Sequence, residues 1–454
     1  MKDIVFIIFG STGDLTSRKL LPAILKLYKD NQISKNIKVV AIGRRTYDTA
    51  QYLDYVVHSD NNKLDKDILK EFVSYYQMQI TEKDDYQGLK LYLKSFTNKQ
   101  TKQLFYLAIA PQLFDDVAMY LSMADLVQKG EVNQSLVFEK PFGHDLESSK
   151  KINQMLWKYF DEKQIYRIDH YLGKEMIQNI LMVRFANRIF EEVWHNRVIK
   201  NVKIIVKETD GILGRAGYYD ESGALRDMVQ SHLLQILSLV AMDAPISYYS
   251  EDVKNEKIQV LKNLKFDASS IILGQYDGYK NEKGIVKDSE TETFVFLKTF
   301  VQTPRFKGVP FYLLTGKKLD VKESVIIVEF EETTEQRKWN LPLSANKLYI
   351  KIAPQDGFGL FLNSKVPGLR DDVESVELEY CIACKVYGNM TEAYEKLLLD
   401  ITEQHKTLFT RWDEIELSWK FIDDIKKLGI KPVIYSQYSD LKQMILDKEN
   451  EVMS

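Results

Sequence analysis

The sequence predicts two domains of different class. Residues 1–167 are expected to form a doubly wound parallel α/β domain, and residues 168–454 a larger domain built on a mainly antiparallel sheet with helices. Two observations lead to this. The first 45 residues alternate strand, helix and strand, whereas later strand patterns follow one another without regular helices between them. A length of 454 residues allows more than one domain, at about 100–200 residues each.

The N-terminal domain begins with a strand–turn–helix–strand unit. Ile4–Phe9 is a continuous apolar run of the kind found in a strand buried on both faces of a parallel sheet. Residues 15–28 show helical periodicity, and residues 37–42 form a second apolar run. A right-handed crossover is expected between the two strands. Further strands are predicted at 104–108 and 135–139.

The C-terminal domain shows short, closely linked strand patterns that predict a large antiparallel sheet. These patterns lie at residues 202–208, 292–300, 311–314, 324–330, 347–352 and 377–383. Helices are predicted around residues 218–243 and 391–427, and we expect both to pack on this sheet.

Composition excludes several classes of partner. Lys and Arg number 62 and Asp and Glu 65, for a net charge of −3, which argues against a general nucleic-acid binder. The most apolar helical run, residues 233–242, is half the ~20 residues that a membrane span needs. Two cysteines in the chain fit a reducing compartment. We therefore expect a cytoplasmic protein with no nucleic-acid or membrane partner.

A glycine-containing turn separates the first strand from the first helix. Backbone N–H groups at such a turn can face a phosphate, and the helix dipole favours negative charge there. The pattern lacks two of the three glycines of the usual dinucleotide motif, so an ordinary strand–helix turn is the alternative. The residues expected to contact a dinucleotide are Gly10, Ser11, Thr12, Gly13, Asp14 and Leu15.

Two arginines end the second strand. An NAD site usually carries an acidic residue there, for the ribose 2′-hydroxyl. Arg44 and Arg45 occupy this place instead, and guanidinium groups suit a 2′-phosphate. We therefore predict NADP over NAD, and leave NAD open as a secondary cofactor. The alternative is a pair of solvated surface arginines.

Two segments carry a family resemblance. Residues 167–175 (RIDHYLGKE) and 214–241 (GRAGYYDESGALRDMVQSHLLQILSLVA) resemble the substrate signature and the catalytic helix of glucose-6-phosphate dehydrogenases. The resemblance implies a Rossmann-like N-terminal domain. It also implies oxidation of glucose 6-phosphate at C1 to 6-phosphoglucono-1,5-lactone, with hydride transfer to NADP⁺, the first step of the oxidative pentose phosphate pathway. Supporting stretches lie at 10–22, 139–143, 274–276, 308–322 and 392–412.

The resemblance implies roles for the catalytic and phosphate-binding residues. His232 would be the general base, and Asp169 would orient it. His170, Tyr171 and Lys174 would bind the phosphate. Because His170 and Lys174 are four residues apart, both would point to one side if they lie on a helix.

The remaining site residues also follow from the resemblance. Carboxylates accept hydrogen bonds from neighbouring sugar hydroxyls, while the ammonium groups of lysines suit an anionic substrate. Pro141 is expected to be a cis-proline beside the cofactor. The residues are Glu208 and Asp227 for the hydroxyls, Lys317 and Lys322 near the substrate, Lys140 between cofactor and sugar, and Lys19 near the reacting centre.

One position departs from the family pattern beside the proposed base. Ser231 precedes His232 where the family commonly has asparagine. The resemblance therefore does not specify which groups surround the base.

No metal is predicted. Cys381 and Cys384 cannot complete a tetrahedral site by themselves, and we expect them to be incidental buried residues of a strand. A homodimer or a dimer of dimers is implied by family analogy.

Two alternatives to this activity stay open. One is another NAD(P)-dependent sugar oxidoreductase of the glucose–fructose oxidoreductase type. The other is a catalytically inactive NADP-sensing protein.

Overall fold

A six-stranded parallel sheet forms the centre of the first of two units in this computed structural model. The first unit comprises residues 1–173 and 391–416, and the second comprises residues 174–390 and 417–454. The structure describes residues 3–59, 64–214, 216–339, 343–370, 372–382 and 392–450.

The sheet of the first unit has the doubly wound strand order β3-β2-β1-β4-β5-β6. Its strands are β1 (Ile4–Phe9), β2 (Ile37–Gly43), β3 (Val73–Gln77), β4 (Lys102–Leu107), β5 (Gln134–Phe138) and β6 (Ile165–Arg167). β1 pairs in parallel with β2 on one side and β4 on the other, and all six of its residues are buried. The carboxyl ends of β1 and β4 thus meet at the topological switch point, where ligands bind in such sheets. The predicted parallel α/β class is confirmed.

Both units contain helices. In chain order they are α1 (Leu21–Lys29), α2 (Thr49–Ser59), α3 (Lys66–Phe72), α4 (Asp85–Lys94), α5 (Phe114–Met123), α6 (Leu146–Tyr159), α7 (Glu175–Phe185), α8 (Arg188–Glu191), α9 (Ala216–Ala224), α10 (Leu234–Ala241), α11 (Ser250–Lys262), α12 (Thr334–Trp339), α13 (Ala393–Glu403), α14 (Trp412–Lys426) and α15 (Tyr438–Asn450). Two segments, Thr16–Leu20 and Leu225–Leu233, are π-helical.

Helix α13 corrects the prediction that residues 391–427 pack on the antiparallel sheet. α13 contacts α1 of the first unit. Its buried Leu397, Leu398 and Ile401 join the same apolar cluster as Ile24, and Lys26 pairs with Glu395 at 2.9 Å. Residues 393–403 are helical, as the periodicity predicts, but a pattern of apolar residues does not identify the element on which a helix packs.

The second unit is built on a ten-stranded mixed sheet. Its main path runs β15-β14-β13-β12-β7-β11-β10-β9-β16, with β8 pairing only with β10. The β7–β11 and β9–β16 pairs are parallel and the others are antiparallel, so the predicted mainly antiparallel class is confirmed. The strands are β7 (Ile199–Lys207), β8 (Leu264–Phe266), β9 (Ile272–Tyr276), β10 (Phe294–Val301), β11 (Pro310–Gly316), β12 (Glu323–Phe330), β13 (Lys347–Ala353), β14 (Gly357–Lys365), β15 (Val373–Cys381) and β16 (Val433–Tyr435).

β15 is an outer strand and ends at one of the two cysteines. Cys381 is partly exposed, so the expectation of an incidental buried residue is wrong for it. Cys384 lies outside the described residues. None of the helices in the described part of the chain has the length and apolar character needed to cross a lipid bilayer.

Candidate active site

The glycine-containing turn lies at the carboxyl end of β1. Gly10 has a φ of 78°, and a Cβ there would come within 2.2 Å of the Ala108 carbonyl oxygen, which follows β4. Only glycine fits both the conformation and this approach. The Ser11 hydroxyl is buried and has no hydrogen-bond partner among the described residues. A tight turn with a spare buried hydroxyl, followed directly by a helix, fits a bound dinucleotide phosphate.

The predicted arginines follow β2 and are both exposed. The Arg45 guanidinium lies 4.7 Å from the centre of the Tyr55 ring and donates to the Tyr47 hydroxyl at 3.2 Å. Tyr55 in turn donates to the Thr12 carbonyl at 2.9 Å. Arg45 is therefore tied to the glycine-containing turn through Tyr55.

A half-buried carboxylate precedes Lys140 at the end of β5. Glu139 accepts hydrogen bonds from Tyr106 at 2.5 Å and Tyr394 at 3.0 Å. Burial raises the pKa of Glu139, while the two hydroxyls and the Lys140 ammonium lower it. The Lys140–Pro141 peptide bond is cis, which confirms that prediction.

The segment after β6 is held by a buried arginine. Arg167 donates to Glu162 at 2.5 and 3.0 Å and to the Asn153 side chain at 2.6 Å. Two residues further on, Asp169 is buried, and its Oδ1 accepts the backbone N–H of Tyr171 at 2.9 Å. This short-range bond fixes the carboxylate at the start of a turn.

His170 and Lys174 do not share a helix, so the predicted helical spacing is wrong. Residues 170–173 form a turn, and Lys174 is the N-cap of α7 with φ −72° and ψ 137°. His170 belongs to the first unit and Lys174 to the second. Within the second unit, burial raises the pKa of Asp356, and the neighbouring Lys174 ammonium lowers it. Lys19, in the first unit, pairs with Glu392 at 3.2 Å.

The proposed base lies in the π-helical segment Leu225–Leu233. His232 is buried, with 1% exposure, and Asp227 is half-buried. In an α-helix, residues five apart point about 140° from each other. In a π-helix, i→i+5 hydrogen bonds give residues five apart the relation that residues four apart have in an α-helix. The local backbone thus presents Asp227 and His232 on neighbouring parts of one face.

Glu208 and Lys317 form an ion pair at the ends of β7 and β11. These parallel strands are adjacent, so their carboxyl ends bring the two residues together. The Lys317 side chain is 4% exposed, and its ammonium lies 5.1 Å from the centre of the Tyr219 ring. Lys322 is exposed in the loop before β12.

Sequence analysis missed two buried groups near these residues. The Tyr219 hydroxyl has no hydrogen-bond partner among the described residues. Burial, and then the Asp227 and Glu292 carboxylates, raise the pKa of Tyr219. Glu292 is itself buried beside the start of the π-helical segment. Tyr219 belongs to the 214–241 stretch, which could have drawn attention to it, but Glu292 carried no sequence signal.

A dinucleotide-type turn in one unit and, in the other, a buried histidine beside a carboxylate of a π-helical segment are features of a nicotinamide-dependent oxidoreductase. Residues 7–179 match the family model described as the NAD binding domain of glucose-6-phosphate dehydrogenase, and residues 181–443 match that of its C-terminal domain. The chain belongs to the glucose-6-phosphate dehydrogenase family.

Individual relatives agree with this assignment. Glucose-6-phosphate 1-dehydrogenase from Bacillus subtilis is 40% identical over 446 residues, covering 93% of this chain and 91% of the relative. The enzyme of the same name from Streptococcus pneumoniae is also 40% identical, with 94% and 90% covered. A solved glucose-6-phosphate dehydrogenase in complex with its substrate glucose-6-phosphate has a TM-score of 0.90 at 31% identity, covering 100% of this chain and 99% of that chain. These relatives favour this family over the glucose–fructose oxidoreductase type.

Proposed function

We propose that the protein oxidises glucose 6-phosphate at C1 to 6-phosphoglucono-1,5-lactone with NADP⁺. The observation that carries the proposal is the π-helical segment that presents Asp227 beside a buried His232, within a chain of this family. The division of labour follows the predicted domains. Residues 1–167 would bind the cofactor, and residues 168–454 the substrate.

His232 acts as the general base in this proposal. A neutral imidazole removes the proton from the C1 hydroxyl as the hydride leaves C1. Asp169 holds the imidazole in the productive tautomer and stabilises its cationic form. Glu208 and Asp227 accept hydrogen bonds from the sugar hydroxyls and so orient C1. Bound NADP⁺ supplies the hydride acceptor.

The phosphate is proposed to bind to His170, Tyr171 and Lys174. A dianionic phosphate needs several donors and positive charge, and these three residues provide an imidazole, a phenol and an ammonium. Lys322 and Lys140 would add positive charge, with Lys140 and Lys19 near the cofactor. These three lysines are exposed or partly exposed.

The preference for NADP is proposed to come from Arg44 and Arg45. Arg44→Ala is expected to raise the KM for NADP⁺ about tenfold, because one charge-assisted contact with the 2′-phosphate is worth about 1.5–3 kcal/mol. The KM for NAD⁺ should not rise. Arg188→Ala, which removes an exposed arginine paired with Glu192, is the matched control. An equal loss for both cofactors would contradict the role of Arg44.

The activity itself is tested by following reduced-nicotinamide absorbance. Glucose 6-phosphate with NADP⁺ should give a rise, while unphosphorylated glucose should give little. His232→Asn should lower kcat at least about a hundredfold, within the range typical for loss of a general base, and His58→Asn, at an exposed histidine of α2, should not. No rise in a folded sample that binds NADP would contradict the proposal and favour a sensing role.

A homodimer is also proposed, with contact through the outer part of the ten-stranded sheet. β15 is an outer strand, with Leu378 59% and Tyr380 37% exposed. An outer strand with exposed apolar side chains is a natural surface for a second copy. A dimer of dimers would require a second contact.

Cytoplasmic location is a further proposal, tested by cell fractionation.

A further inference from the structure

Glu292 lies at the start of the segment that carries the proposed catalytic groups. It is 5% exposed and immediately precedes the buried Thr293 and strand β10. The π-helical segment begins at Leu225, two residues before Asp227 and seven before His232. Whatever holds this start therefore affects the position of both groups.

Two hydrogen bonds join Glu292 to this start. The Leu225 N–H donates to the Glu292 carboxylate at 3.0 Å, and the Ala224 N–H donates to the Glu292 carbonyl at 2.9 Å. These N–H groups open a helical turn, where donors lack partners within the helix. The side chain and main chain of one residue thus satisfy consecutive donors.

Gly223 makes this arrangement possible. Its φ of 64° and ψ of 177° belong to a region that essentially only glycine adopts. A Cβ there would lie 2.4 Å from the Glu292 carboxylate oxygen. The chain turns sharply at Gly223, and the Glu292 carboxylate lies against the inside of that turn.

Thr293, the next residue, contacts the backbone of Lys317. The Lys317 N–H donates to the Thr293 carbonyl at 3.0 Å. The Tyr435 hydroxyl donates to the Lys317 carbonyl at 2.6 Å and lies 3.1 Å from the Thr293 hydroxyl. The backbone of Lys317, the partner of Glu208, is therefore fixed by the same two-residue segment.

We propose that Glu292 and Thr293 are positioning residues that set the spacing between Asp227 and the Lys317–Glu208 pair. Glu292 anchors the helix start and Thr293 anchors Lys317, so their shared backbone fixes one relative to the other. The inference rests on the proposed roles of these groups in binding the sugar. It adds a positional role for Glu292 and Thr293, distinct from the roles of the groups proposed to bind the sugar.

The Glu292 side chain acts as a hydrogen-bond acceptor that must be long enough to meet the Leu225 N–H. Glu292→Gln keeps a carbonyl oxygen at the same distance, whereas Glu292→Asp withdraws the acceptor by one methylene. Burial raises the pKa of Glu292, while the Lys426 ammonium lowers it. We expect Gln to preserve function and Asp and Ala to impair it, which is the order that an acceptor role requires.

The test compares the KM for glucose 6-phosphate with the KM for NADP⁺ in variants of Glu292. Glu292→Ala and Glu292→Asp are expected to raise the KM for glucose 6-phosphate about tenfold and to lower kcat, since a displacement of about 1 Å costs up to a hundredfold. The KM for NADP⁺ should stay within about twofold, because the glycine-containing turn belongs to the other unit. Glu292→Gln should stay within about threefold of wild type in all three constants.

The control is Glu329→Ala. Glu329 is a half-buried glutamate on β12 of the same unit, and it pairs with Lys200 of β7 at 2.9 Å. Its loss should therefore lower stability without changing either KM. A loss of active protein or of Tm in the Glu292 variants, with both KM values unchanged, would overturn the proposal. If Glu292→Ala does not fold, Glu292→Asp carries the test.

His232→Asn in the same series separates the two proposals. If His232→Asn stays active, the role of the base is wrong, whatever the Glu292 variants do. If His232→Asn is inactive and Glu292→Asp has wild-type constants, only the positioning proposal fails.

Discussion

Lys317 is a charged side chain held almost entirely out of water. Its ammonium lies beside the Glu208 carboxylate and the face of the Tyr219 ring. Burial of a charge is costly unless it is paired, so a lysine in this place needs a partner at all times. In the proposed function the sugar substrate binds beside this pair.

Lys317→Met tests that role at the residue scale. It leaves the Glu208 carboxylate without its cation, and we expect the KM for glucose 6-phosphate to rise at least about tenfold, equivalent to about 1.4 kcal/mol. The KM for NADP⁺ should be unchanged. Lys200→Met, which removes an exposed lysine paired with Glu329, is the control. An unchanged KM for the sugar would place Lys317 outside the substrate site.

Glu162 and Arg167 predict a pH dependence of stability. Burial by itself would raise the pKa of Glu162, but the Arg167 charge and the hydrogen bonds from Arg167, Trp157 and the Trp412 backbone outweigh it, and the pKa is lowered. A lowered carboxylate pKa contributes stability above the unfolded-state value of 4.5, and this stability is lost as the pH falls through the folded-state value.

Glu162→Gln should therefore destabilise the protein at neutral pH by about 3 kcal/mol, because it leaves the Arg167 guanidinium buried and unpaired. The difference from wild type should shrink below about pH 4.5. Urea denaturation at pH 7 and pH 4 measures both values. A difference that stays constant with pH would show that the ion pair is not the cause. Glu416→Gln, at a more exposed pair with Lys150, should change stability by less than about 1 kcal/mol.

At the scale of the element, the glycine-containing turn after β1 is the segment proposed to bind the cofactor's phosphate. Gly10→Ala introduces a Cβ within 2.2 Å of the Ala108 oxygen in a backbone with φ 78°, so the turn must move. We expect the KM for NADP⁺ to rise at least about tenfold, because the N–H groups no longer face the phosphate. The KM for glucose 6-phosphate should change little.

The matched control for Gly10→Ala is Gly217→Ala. A Cβ at Gly217 meets nothing within 4 Å, and a helical glycine replaced by alanine usually gains about 0.5–1 kcal/mol. Thermal melts with and without NADP⁺ report both effects. Stabilisation of Gly10→Ala by NADP⁺ equal to that of wild type would contradict a role for the turn.

Elements with strong local patterns were predictable from the sequence. β1, with six consecutive apolar residues, was placed at its observed bounds, and β12 within one residue. β14 was missed because two glycines and a half-exposed pattern weaken its alternation. β16 was missed because its three residues become a strand only by pairing with the distant β9.

The candidate site divides in the same way. Asp169 and His232 lie within motifs that sequence reading finds, whereas Glu292 acts through a hydrogen bond to Leu225, 67 residues away in the chain. The helical relation expected of His170 and Lys174 failed because a turn precedes α7. Spacing predicts geometry only where the secondary structure is known.

At the scale of the whole molecule, β15 leaves one side of a ten-stranded sheet without a neighbouring strand among the described residues. Exposed edge strands favour association, and natural proteins usually protect them with charges. β15 carries Glu374, Glu377 and Glu379, yet Leu378 and Tyr380 are exposed between and beside them. A second copy of the chain would cover these apolar side chains, which is why we assign the proposed dimer contact to this strand.

Leu378→Asp should therefore convert a dimer into a monomer. A buried carboxylate without a partner costs several kcal/mol, and twofold symmetry places the change twice in one interface. Light scattering after size-exclusion chromatography measures the mass. The control is Leu91→Asp, at a leucine of α4 with 69% exposure in the other unit, which should leave the mass unchanged. Because a dimer divided at β15 retains each chain's own units, the monomer should stay folded by circular dichroism. A Leu378→Asp protein that remains dimeric would move the contact away from β15.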